Sequence, residues 1–429
     1  MNVWRGDDRK GEQFIRRLES RARELFPAAF ESRIRDIVGA VARRGDAALA
    51  SYVRRFDLKG LESKRLRLRG TVSGSEDVSD AFVKAVELAL ANLRAFHEPQ
   101  QARGYSLELH GSDLSVRVRP LDSVAIYVAG GAAAYLSSLL MALVPARIAG
   151  VKRIVVTTPP RAFLSSAELR YLLDRLDLRE VYLMGGAHAV AALAYGTESV
   201  SAVDKIIGRG GRAVAAAKRA VYGVCDVDGI GGPPELVIVA DGQAEPALAA
   251  ADLLAQAEHD PNAVVVLVTT SRALGEKVAK LIAARLKRTP RDAAARAAVR
   301  KWGAVFVARD LDRAAELVNR IAPEHVELLV SDPLRVVDRI DNAGAVYLGP
   351  FSPAVLGDYV AGANHLLPTA GAARFASPLG VWDFVRRTSV VRVAPHRYRT
   401  LARAAGTLAL LEDLPLHEEA LRAGSRGTL

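Results

Sequence analysis

From Leu114 onward the chain alternates short apolar runs with helical stretches, and no other feature restricts its fold as tightly. Strand candidates cover residues 124–128, 154–157, 181–184, 236–240, 264–269, 304–307, 326–330 and 345–348. Helical stretches at 137–148, 166–176, 187–194, 212–221, 247–258, 274–286 and 313–321 fall between most of them. Strands that are apolar throughout must be buried on both faces, and intervening helices supply the cover, so the pattern predicts parallel sheets. The expected fold class is α/β, with two incomplete Rossmann-like parallel-sheet units and small helical extensions at both termini. Residues 224–234 hold Gly229, Gly231, Gly232, Pro233 and Pro234, too much Gly and Pro for an element interior. That stretch reads as the crossing between the two units.

The flanks follow other patterns. Residues 1–27 read as an N-terminal arm with one short amphipathic helix. Residues 28–104 are helix-rich, with Ile34, Ile37, Val38 and Val41, then Phe82, Val86, Ala89 and Leu93, at helical spacing. Residues 384–429 form a tail with a short strand near 390–393 and a helix near 401–411, too small to hold a core alone. The expected division joins 28–104 to 235–383 as a first α/β domain and sets 105–234 apart as a second.

Composition removes several function classes. Of 429 residues, 50% are hydrophobic and 25% charged, a globular balance. No apolar run reaches the roughly 20 residues of a membrane span, and the charged N-terminus has no apolar segment behind it to serve as a secretory signal. The single cysteine, Cys225, excludes an intrachain disulfide and a thiolate zinc cluster, so the cytoplasm is the expected location. The net charge of +11 is spread along the chain and mixed with acids, without a basic tail or nucleic-acid motif. It reads as a solvated surface, with no nucleic-acid partner.

Four segments carry candidate chemistry. In Asp252 to Pro261, Gln256 and His259 share one helical face, where an amide oxygen and an imidazole suit a borderline cation such as zinc. The alternative is a helix C-terminus with His259 facing the macrodipole. In Ala322-Pro323-Glu324-His325, Pro323 stops a helix and puts a carboxylate beside an imidazole on a loop at the sheet edge, two proton-transfer groups near neutrality. The alternative there is a solvated capping pair. Gly357 to His365 is an irregular Gly-rich loop bearing Asp358 and His365, able to wrap a ligand or simply turn the chain. Glu412 and His417 lie in the tail. Gly130-Gly131 and Gly208-Arg209-Gly210-Gly211 lack the spacing of a dinucleotide fingerprint.

Taken together and in this order, the four segments resemble histidinol dehydrogenases from about Asp122 to His417. The resemblance extends to Ile126-Tyr127-Val128 with Gly130-Gly131, to 145–150, to Gly185-Gly186-Ala187, to 194–198, and to Pro368-Thr369 and Thr388-Ser389-Val390. It implies zinc-dependent, four-electron oxidation of L-histidinol to L-histidine with two NAD by way of a bound aldehyde. The implied zinc ligands are Gln256, His259, Asp358 and His417. His325 is the implied general base for the alcohol, Glu324 the residue that activates water for the aldehyde step, and Glu412 a substrate-binding carboxylate. Gln256, His259, His325, Asp358 and His417 would also touch substrate. Tyr127 would bind the nicotinamide cofactor in the 105–234 unit, the metal and base residues belonging to the other. The tail would reach the partner subunit's site, which implies a homodimer with shared active sites.

The chain departs from the family pattern at several positions. His188 stands for a glutamine, and Gly208-Arg209-Gly210-Gly211 for Gly-Pro-Gly-Asn, so two cofactor-contacting amides are missing. Arg209 could reach a pyrophosphate instead. Pro234 stands for a substrate-contacting serine, and Ala129 for a proline. The changes near the cofactor keep a redox-inactive zinc-binding homologue in view. Pro234 keeps in view a related zinc- and NAD-dependent dehydrogenase of another polar alcohol.

Overall fold

The computed structural model describes residues 1–5, 8–57, 66–68, 78–130, 135–288 and 292–426. Its strands are β1 (Asn2–Arg5), β2 (Tyr105–Leu109), β3 (Ser112–Pro120), β4 (Ser123–Tyr127), β5 (Arg153–Thr158), β6 (Glu180–Leu183), β7 (Lys205–Ile207) and β8 (Asp226–Val227). They continue as β9 (Glu235–Ala240), β10 (Val264–Thr269), β11 (Gly303–Val307), β12 (His325–Leu329), β13 (Ala345–Leu348) and β14 (Val385–Arg392). Among the described residues they form a parallel five-stranded sheet, β6-β5-β4-β7-β8, and a parallel six-stranded sheet, β1-β11-β10-β9-β12-β13.

The five-stranded sheet is built outward from β4, and the six-stranded sheet, apart from β1 at its edge, from β9. Successive strands run outward to one side, and the chain then returns to the other side. The reversal falls between β4 and β7 in one sheet and between β9 and β12 in the other. Such a reversal leaves a crevice at the sheet edge, because the two neighbouring connections leave in opposite directions. Strands β9 and β10 are buried along their whole length, as the uninterrupted apolar runs Leu236–Ala240 and Val264–Val268 require.

The flanking segments pack differently from the sequence expectation. The helix Ala28–Tyr52 covers the five-stranded sheet rather than joining residues 235–383, while Asp80–His97 covers that sheet and also meets Val360, Leu366 and Leu379. Ile34, Val38, Val41 and Leu49 share a core with Ala125, Tyr127 and Val155, while Val86, Leu90 and Leu93 share one with Val124, Val128 and Leu143. An amphipathic stripe tells a helix to bury one face but not which sheet to cover. The N-terminal 27 residues are no free arm: β1 extends the six-stranded sheet beside β11, and Ile15 and Leu18 enter that sheet's core. In the tail, β14 pairs with β3 and β3 with β2 in an antiparallel sheet. The helices Pro395–Leu411 and Pro415–Arg426 follow. Among the described residues, no helix is long and apolar enough to cross a membrane.

Candidate active site

The carboxyl edge of the five-stranded sheet and the amino edge of the six-stranded sheet face one cleft of about 550 Å³. Ala129, Gly130 and Arg209 line it from beyond β4 and β7. Glu235, Glu324 and His325 line it from the starts of β9 and β12. Glu324 sits in the connection just before β12, as expected of a loop at the sheet edge, and His325 is the first residue of that strand. Both side chains are buried, which overturns the alternative of a solvated capping pair.

Local sequence explains how the pair is delivered. Asp310 caps the helix Leu311–Ile321 by accepting the Arg313 N–H at 2.7 Å. The helix ends at Ala322, which takes a left-handed φ of 48° before Pro323 forbids another turn. Arg21 then secures the end: its guanidinium donates to the Ile321 carbonyl at 2.9 Å and forms a buried bidentate pair with Glu235 at 2.5 and 2.7 Å. The Glu235 backbone N–H donates to Glu324 Oε2 at 3.1 Å.

His325 lies between two acids, its Nε2 3.7 Å from Glu324 Oε1 and 3.8 Å from Asp358 Oδ1. Its Nδ1 lies 3.2 Å from the Tyr347 hydroxyl. The absence of a side chain at Gly357 makes that contact possible, since a Cβ there would come within 2.3 Å of the Tyr347 oxygen. Burial, with the nearby Arg209 and His259 charges, pushes His325 down to about 3, so the ring is neutral at physiological pH. Burial and then the Glu324 charge push Asp358 up to about 7, and burial also raises Glu324. Asp358 is in the last turn of a helix, Ala354–Tyr359, and not in an irregular loop as expected.

Gln256 closes the helix Pro246–Ala257 and is buried, while His259 follows in the turn and is exposed; both line the cleft with Asp358. Glu412 and His417 do not line it: they sit on the exposed tail helices and the turn between them. Among the described residues, no group of three or more His, Cys, Asp or Glu side chains stands close enough to hold a metal ion within one chain.

Sequence reasoning singled out two further residues without finding their contacts here. His365 lines the cleft, with Nδ1 2.7 Å from the Asp358 carbonyl oxygen and Nε2 3.0 Å from Ser138 Oγ. Burial pushes it down to about 3. Its place in the motif with Asp358 was the available signal. Arg209 is the second: its Nη2 contacts Glu324 Oε1 and donates to the Leu367 carbonyl at 2.9 Å. Nothing in the sequence signals the contact.

The segment expected to hold a dinucleotide lies at the β4/β7 reversal. Gly208 has φ 110° and packs so closely that a Cβ would meet the Tyr127 carbonyl oxygen at 2.3 Å. Gly211, at the N-terminus of the helix Arg212–Val221, has open space where a side chain would be. Tyr127 is buried, and its hydroxyl accepts the Gly186 N–H at 2.9 Å. His188 is buried against Asp57. Gly131 lies outside the described residues.

Comparison with known proteins identifies the family. The family model described as histidinol dehydrogenase matches residues 20–424. A histidinol dehydrogenase of Halalkalibacterium halodurans is 42% identical over 91% of this chain and 93% of its own length. One from Cereibacter sphaeroides is 44% identical over 90% of each. The crystal structure of histidinol dehydrogenase from Elizabethkingia anophelis superposes with a TM-score of 0.88 at 28% identity, covering 99% of this chain and 97% of that one.

Proposed function

We propose, from the premise that this chain belongs to the histidinol dehydrogenase family, that it oxidises L-histidinol to L-histidine in two successive hydride transfers to NAD. The observation that carries the reading is the convergence of Gln256, His259, Glu324, His325 and Asp358 on one cleft from three separate segments.

The side chains suit a zinc ion. Asp358 is a largely buried acid pushed up to about 7, a group whose ionised form a nearby cation would favour. Gln256, His259 and Asp358 would hold the ion, an oxygen- and nitrogen-rich set that fits zinc. His417 of the partner subunit would complete it. When bound, zinc would stabilise the alkoxide-like form of the alcohol.

This chain's residues would supply the rest. His325, neutral in its buried site, accepts the alcohol proton as hydride leaves carbon for NAD, giving the aldehyde. Water then adds to the aldehyde carbon, Glu324 taking a water proton. A second hydride transfer from the hydrate to a second NAD leaves the acid. The cofactor would lie along the β4/β7 reversal, its phosphates toward the N-terminus of the helix Arg212–Val221. Tyr127 would shape that surface through its bond to Gly186. Glu412 of the partner subunit would bind the amine or imidazole of the substrate. Exposed Leu408, Leu411 and Leu416 around Glu412 and His417 support a homodimer in which a second copy covers the tail. The reading carries a cytoplasmic location with it.

Pro234 lines the same cleft and supports one other reading, a different polar alcohol as substrate. Purified, zinc-loaded protein incubated with L-histidinol and NAD decides between them by the absorbance of reduced nicotinamide. Turnover that vanishes on chelation and in His325→Ala is expected. Turnover only with other alcohols supports the second reading, and none with any alcohol defeats both.

A further inference from the structure

The contact between Arg209 and Glu324 spans the cleft. Arg209 follows β7 in one sheet unit, and Glu324 precedes β12 in the other. The loop that presents Arg209 is anchored on both sides of Gly208. The Gly208 N–H donates to Asp228 Oδ2 at 2.8 Å, its carbonyl accepts Lys218 Nζ at 3.2 Å, and Lys218 pairs with Asp228 in a buried position. The guanidinium is fixed again at its far end by the Leu367 carbonyl.

Glu324 is correspondingly immobilised. Oε2 receives the Glu235 N–H and Oε1 the guanidinium, so its plane is set by two donors from different segments. The oxygen that meets Arg209 is also the one 3.7 Å from His325 Nε2, and it keeps a second lone pair free. The positive charge opposes what burial would do to this acid.

We infer that Arg209 is a positioning residue for the second oxidation, holding the Glu324 carboxylate across the cleft in the orientation from which it takes the water proton. The inference rests on the reading above, in which Glu324 serves the aldehyde step and His325 the alcohol step. A guanidinium at this position gives Glu324 a charge-assisted partner that an apolar side chain could not.

The test separates the two half-reactions. In Arg209→Ala, kcat for oxidation of L-histidinal by NAD should fall about 10- to 100-fold, as for loss of a charge-assisted hydrogen bond. The KM for NAD should stay within about two-fold. Reduction of L-histidinal by NADH, the reverse of the alcohol step, should be nearly unchanged. Guanidinium ion in solution should restore part of the lost oxidation, and Arg209→Lys should retain part of it. An equal loss in both half-reactions, or a raised KM for NAD at unchanged kcat, would overturn the inference.

A readout free of catalysis accompanies it: the thermal stabilities of metal-free wild type, Arg209→Ala, Glu324→Gln and the double variant. Additive effects would mean that the pair does not form and would overturn the inference by themselves. Coupled effects in a wild type that oxidises no histidinol would instead defeat the functional reading, and the inference with it.

Discussion

His188 Nε2 lies 2.8 Å from Asp57 Oδ2, and that same oxygen accepts the Gly185 N–H at 3.1 Å. The pair is buried, with the rings of Tyr52 and Phe56 stacked near the imidazole. It sits where the family pattern has a cofactor-contacting glutamine, and the imidazole nitrogen is committed to an acid. His188→Ala should lower stability by about 2 kcal/mol, since it strips a buried acid of a partner. His188→Gln should cost less, because an amide can donate to Asp57 and still offer its oxygen. The glutamine variant should also bind NAD roughly three- to ten-fold more tightly, by the value of one neutral hydrogen bond. Chemical denaturation and a fluorescence titration with NAD measure the two effects, and an unchanged NAD affinity would count against His188 lying at the cofactor surface.

With Asp358 as a zinc ligand, its titration should set the pH dependence of cation binding. Burial and the Glu324 charge push it up to about 7, so a proton competes with the metal below that value. Zinc affinity, read by competition with a chromophoric chelator, should weaken as pH falls through 7, by up to about ten-fold per unit from this one group. Asp358→Asn should bind zinc poorly at every pH and lose this part of the slope.

Glu412 and His417 stand outside the cleft of their own chain, which makes subunit complementation a direct test. The variants His325→Ala and His417→Ala should each be inactive alone. After mixed refolding at equal amounts, half the dimers are hybrids with one intact site, so about a quarter of wild-type activity should return. No recovery, with hybrids verified by mass, would place His417 outside a shared site.

Glu327 lies on β12 behind the cleft, its Oε1 accepting the Ala354 N–H at 2.6 Å. Burial and then Asp252 push it up to about 8. Its folded pKa is above its unfolded one, so its contribution is fully present below about 4.5 and is lost as pH rises toward 8. In urea titrations of metal-free protein, Glu327→Gln should flatten the decline in stability across that window, because the amide resembles the protonated acid. An unaltered slope would mean that Glu327 is ionised in the folded chain.

The sequence was enough to place the strands that carry the fold. The apolar runs at 236–240 and 264–269 became the central strands β9 and β10, and the helices between such runs made the sheets parallel. Pro323 marked the end of a helix and the start of a functional pair. Short or exposed strands left no such mark. β8 is two residues long and β2 is exposed throughout, so neither has the buried face that produces a pattern.

The residue types of the candidate site were readable because each segment keeps its chemistry wherever it folds. Their meeting was not readable. Arg209 and Glu324 are 115 positions apart and belong to different sheets, and their contact exists only because two sheet edges face one cleft. Periodicity records that a face must be buried, which is local information. Which surface buries it, and which charges then meet, depends on how the layers stack, and only the tertiary structure decides that.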